Sequence, residues 1–66
     1  MVRTVLKMTY KGEWRVTHDD SISTNPYRVY YISNGHRKQL ERYGDMESCL
    51  HLIAQKISGH EWMWRA

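Results

Sequence analysis

Asn34-Gly35 is the feature that most narrows what this chain can fold into. It separates two strand-like runs, Tyr27-Arg28-Val29-Tyr30-Tyr31-Ile32-Ser33 and His36-Arg37-Lys38-Gln39-Leu40-Glu41-Arg42-Tyr43. An Asn-Gly pair there favours a two-residue type I′ turn, whose central residues both take positive φ. The turn sets a register in which Ser33 faces His36, Ile32 faces Arg37, Tyr31 faces Lys38, Tyr30 faces Gln39, Val29 faces Leu40, Arg28 faces Glu41 and Tyr27 faces Arg42. One face then holds Tyr27, Val29, Tyr31 and Leu40, with the stems of Lys38 and Arg42 along its edge. The other holds Arg28, Tyr30, Ile32, Arg37, Gln39 and Glu41. The first is the expected core face, because Val29 and Leu40 form its central pair.

Val2 to Tyr10 alternates and is rich in β-branched residues, and Trp14-Arg15-Val16-Thr17 reads as its partner. A two-residue loop at Lys11-Gly12 would mix apolar with polar positions. A three-residue loop with Gly12 in the left-handed position instead sets Met8 against Trp14 and Leu6 against Val16, leaving Val5, Lys7, Arg15 and Thr17 outside. Between the hairpins, His18 to Pro26 is a polar loop whose Asn and Asp side chains bond their own backbone. His18, Asp19 and Asp20 do not make a metal or acid-base site there, since neighbours on a strand end point in opposite directions and no fourth ligand has suitable spacing.

After the second hairpin, Asp45 suits a helix N-cap, Glu47 the positive end of the helix dipole, and Gly59 a C-terminal stop. Met46, Cys49, Leu50, Ile53, Ala54 and Ile57 recur at helical spacing and are expected to face the sheet. Cys49 reads as a small buried apolar residue. The expected fold is α+β: an antiparallel four-stranded sheet made of two hairpins, with one C-terminal helix packed on one face. Its elements are strands at about 2–10, 14–18, 27–33 and 36–43 and a helix at about 46–58, within a single domain spanning residues 1–66. The tail at 60–66 brings Trp62 and Trp64 close to the end of the sequence, where they would pack on the protein's own core, extend a sheet edge or dock on a partner.

With 66 residues and one cysteine, the chain has a thin core and no intramolecular disulfide. No apolar run is long enough to span a membrane and no signal-peptide layout opens the sequence, so a soluble, cytoplasmic protein is expected. No cofactor is expected, and no phosphate-cradling glycine loop, nucleophile elbow, HExxH or Cys-x-x-Cys is present, so the chain does not read as an enzyme. The net charge of +3 is unevenly spread. Each candidate hairpin carries four basic residues against one acidic, whereas the intervening loop and the helical part are net acidic. Basic charge thus belongs to the strands, and a sheet covered on one face leaves it on the other.

A strand with Trp14-Arg15-Val16, a strand with Tyr27 to Tyr31, the Asn-Gly turn, the Arg37-Lys38 strand and a following helix together resemble the amino-terminal DNA-binding domain of phage and transposon tyrosine-recombinase integrases. The plant ethylene-response-factor DNA-binding domain is built similarly. The resemblance covers roughly residues 13 to 58 and implies an open sheet face that lies in the major groove. On that analogy Arg15, Arg28, Tyr30, Arg37 and Gln39 would be the contacting residues. The expected function is a small nucleic-acid-binding module for DNA or RNA. Arg15, Arg28, Arg37 and Lys7 would meet phosphates or guanine edges, Gln39 would offer an amide to adenine, and Tyr30 would stack or hydrogen-bond. The alternative is a non-enzymatic protein-interaction module, of phage or accessory-regulator type, that binds itself or a larger protein through a sheet edge or the Trp62/Trp64 tail.

Overall fold

A computed structural model describes residues 1–59. The aromatic tail, with Trp62 and Trp64, lies outside the described residues. Four strands, β1 (Val2–Thr9), β2 (Glu13–Asp19), β3 (Tyr27–Ser33) and β4 (His36–Tyr43), are followed by one helix, α1 (Met46–Ser58). The strands form one antiparallel sheet in the order β1-β2-β3-β4, so each pairs with its sequence neighbour. This is the α+β arrangement expected from the sequence.

Both hairpins close as their turn residues dictate. Asn34 and Gly35 take φ values of 52° and 79°, the positive pair that a type I′ turn needs. In the first hairpin Thr9 pairs with Glu13 across the three-residue loop, and Met8 faces Trp14 while Leu6 faces Val16. Gly12 sits at φ +120°, and a Cβ built there would fall 2.5 Å from Tyr31 Oη. The Tyr31 hydroxyl fills this space because it donates to the Lys11 carbonyl, and the Trp14 indole N–H donates to the Tyr10 carbonyl at 3.1 Å. The rings of Trp14 and Tyr31 lie 4.7 Å apart. The turn is therefore bolted to the core by two side chains.

The core lies between the sheet and α1. Trp14, Val16, Val29 and Cys49 are fully buried and Ile53 nearly so, with Leu6, Met8, Tyr27, Tyr31, Leu40, Tyr43, Met46, Leu52 and Ile57 packed around them. Asp45 caps α1 by accepting from the Ser48 N–H at 3.1 Å, and the Gly59 N–H closes the other end on the Gln55 carbonyl at 3.0 Å. Because only Gly44 and Asp45 separate β4 from α1, the helix folds back onto β3 and β4.

Two expectations are corrected. Beyond Tyr30 the β3–β4 register shifts by one, so that Val29 pairs with Glu41, Arg28 with Arg42 and Tyr27 with Tyr43. The cause is visible in the spacing of Leu40 and Tyr43. Three positions apart, they face opposite sides of a regular strand, and a bulge lets both pack on the core. Arg42 consequently moves to the open face and Glu41 leaves it. On α1 the buried stripe is rotated toward Leu52 and the half-buried Lys56, leaving Leu50 and Ala54 exposed. Leucines at positions 50 and 52 flank the Cys49–Ile53 line on either side, and the pattern alone does not say which flank the sheet meets.

Gly12→Ala is expected to lower unfolding free energy by about 1–3 kcal/mol, since it combines backbone strain with a clash on Tyr31. At Gly35 a Cβ would meet nothing within 4 Å, so Gly35→Ala should cost distinctly less. Urea midpoints of the two variants check the order.

Candidate nucleic-acid interface

Cross-strand partners share a face, so the register assigns the sheet surface opposite α1 row by row. Its central row crosses all four strands as Lys7, Arg15, Tyr30 and Gln39. Toward the hairpin turns the next row is Thr9, Glu13, Ile32 and Arg37, and on the other side lies Thr4, Thr17, Arg28 and Arg42. Asp19 is placed beyond these, paired with Val2. All six residues singled out from the sequence, Lys7, Arg15, Arg28, Tyr30, Arg37 and Gln39, therefore fall on one face. Five cations share it with two carboxylates, Glu13 and Asp19.

The side chains differ in how they are held. Glu13 organises one corner: its carboxylate accepts from Arg15 Nε at 2.8 Å, also contacts Arg15 Nη2, and lies 3.9 Å from the Lys7 ammonium. One edge of the Arg15 guanidinium is thus occupied, while Lys7 remains largely in water. The Arg37 guanidinium lies over the Tyr30 ring, 4.9 Å from its centroid. Tyr30 keeps only 9% of its exposure even though α1 is on the other side of the sheet. Its ring is covered rather than offered bare, which changes how it could take part in stacking. Gln39 and Arg42 are exposed.

Arg28 lies low on the face. Its Nη2 is 3.9 Å from Asp19, and its Nε is buried without a hydrogen-bond partner, as is Oγ1 of its cross-strand neighbour Thr17. Unmet hydrogen-bonding capacity of this kind is uncommon in native proteins. Asp19 itself is engaged mainly by Ser21, which donates from its hydroxyl at 2.6 Å and from its backbone N–H at 3.0 Å. These bonds hold the Asp19 carboxyl below its ordinary value, with smaller help from the amino terminus and Arg28 and some opposition from burial.

Other candidate chemistry is sparse. His18 Nδ1 pairs with Asp20 at 2.8 Å, while Asp19 belongs to the opposite face of β2. Among the described residues no group of three or more His, Cys, Asp or Glu is arranged to hold a metal, and no helix is long and apolar enough to cross a membrane. Cys49 is buried, its thiol contacts the Asp45 carbonyl at 3.4 Å, and burial pushes its pKa up, followed by the Asp45 charge. It is a packing residue with a suppressed thiolate.

No known protein family, characterised protein or solved structure matches this chain. Two members of the site escape a simple sequence reading. Arg42 reaches the face only through the β4 bulge, and the Leu40–Tyr43 spacing is the signal that foretells it. Glu13 is signalled as a same-face neighbour of Arg15, two positions away on one strand.

Asp19 also gives the site a pH signature. Its folded-state pKa is lowered, so its contribution to stability is complete above the unfolded carboxylate value and is lost as pH falls through the folded one. Asp19→Asn should flatten the acid limb of a stability–pH curve measured from roughly pH 5 to pH 2. An unchanged limb would mean that the Ser21 bonds do not persist in solution.

Proposed function

We propose that this chain is a small, non-enzymatic nucleic-acid-binding module that uses the open, basic face of its sheet. The observation that carries the reading is the gathering of Lys7, Arg15, Arg28, Arg37 and Arg42, with Gln39, on the face that α1 leaves uncovered. Cations on a shared surface add their fields and attract a polyphosphate backbone, whereas the same number scattered around the molecule would not. A cytoplasmic setting, where nucleic acid is at hand, fits this reading. The analogy with the integrase amino-terminal domain points the same way, through an open sheet face.

Binding of this origin is expected to weaken steeply with salt, the slope of log K against log salt reporting the phosphates neutralised. Lys7→Ala and Arg42→Ala should each weaken binding and reduce that slope by about 1. Arg3→Ala is the control, since Arg3 pairs with His18 on the helix side. Glu13→Gln removes the carboxylate shared by Lys7 and Arg15 and should tighten binding. Gel shifts at low ionic strength with no retarded species would remove the proposal.

A second reading has its own support. Met1, Val2 and Val5 along the β1 edge are exposed, at 86%, 54% and 38%, and suit a protein-interaction module acting through that edge as a homodimer or with a larger protein. The Trp62/Trp64 tail is the other surface this reading assigns to a partner. Sedimentation equilibrium separates the cases. A dimer that Val2→Glu dissociates would favour the β1 edge, and a monomer at all concentrations would count against self-association.

A further inference from the structure

The way the arginines lie on the open face says which form of nucleic acid it suits. Duplex recognition through the major groove needs side chains that project from the protein into a groove about 8.5 Å deep. Here Arg37 rests on Tyr30, Arg15 is tied along the sheet to Glu13, and Arg28 is low enough that its Nε is buried. Each of these three arginines is thus engaged with a neighbour on the sheet or partly sunk into it. An arginine held by a neighbour is less free to reach a groove floor, whereas its guanidinium still offers a cationic surface to the face of an unpaired base.

We propose that the open face binds single-stranded nucleic acid, with one unpaired base stacked on the outward side of the Arg37 guanidinium, itself carried on the Tyr30 ring. This rests on the nucleic-acid reading above and specifies its ligand. Tyr30 fixes the height and position of the guanidinium, which otherwise would sample many rotamers on an exposed edge strand. Gln39, the neighbour of Tyr30 in the central row, is exposed beside the stack and presents an amide to the edge of the same base. Arg42, further along the same edge strand, and Lys7, across the sheet on β1, supply charge to the sugar-phosphate chain. A base paired within a duplex has both faces covered by its neighbours and cannot form the third layer.

The test compares a fluorescently labelled single-stranded 12-mer, the blunt-ended duplex of the same sequence with its complement, and a 12-mer of abasic sugar-phosphate units, by anisotropy at low salt. The single strand is expected to bind the wild-type protein about tenfold tighter than either the duplex or the abasic chain. Arg37→Lys keeps the charge but loses the plane. It should weaken single-strand binding about tenfold, leave the salt slope unchanged and leave abasic binding untouched. Arg37 is exposed, so this variant should fold, and circular dichroism verifies that it does. A duplex bound as tightly as the single strand, or an Arg37→Lys protein indistinguishable from wild type on it, overturns the stacking proposal while leaving the basic-face reading standing. Absence of binding to all three ligands overturns both.

Discussion

Trp14, Val16 and Val29 meet Cys49 and Ile53 across the space between the sheet and α1, and the character of both sheet faces follows from that contact. Among the described residues α1 is the one helix, and the buried cluster lies between it and a single face of the sheet. Alternation sends Arg15, Arg28 and Arg37 to the face pointing away from the helix, where Tyr30 and Thr17 are also buried. The basic face is what strand alternation leaves opposite the helix. Its location is set by packing, whatever use is made of it.

Within that face the charges are organised by neighbours rather than by isolated pairs. Glu13 gathers Arg15 and Lys7, and Tyr30 seats Arg37. Such contacts between partly exposed groups contribute little to stability. Their effect is on conformation, since a long flexible side chain held in one place loses less freedom when a ligand arrives. Tyr30 and Thr17 are themselves buried on this face, although α1 packs against the other.

Much of the architecture is legible in the sequence because local signals agree with the global pattern. Asn34-Gly35 permits one turn, and the turn fixes the register as far as Tyr30. Gly12 permits another, and pairing Leu6 with Val16 and Met8 with Trp14 then follows from matching like with like. What escapes the sequence is where alternation is broken. The β4 bulge moves Arg42 and Glu41 between faces, and only the demand of two separated apolar residues for one core explains it. The rotation of α1 toward Leu52 escapes for a different reason, because helical periodicity constrains the width of an apolar stripe more tightly than its centre. At the site, the register tells which side chains share a surface, but not that Arg15 and Arg37 lie along it.

The register breaks in β1, between Thr4 and Leu6, and in β4 have a shared location: they fall on the two outermost strands. A strand-rich polypeptide with so many aromatic and β-branched residues would otherwise present two straight rims of unpaired amide and carbonyl groups, the template on which fibrils lengthen. An inserted residue puckers each rim and interrupts the even spacing that an incoming strand must match. Each rim is for that reason a less regular template for an added strand than an unbroken one would be.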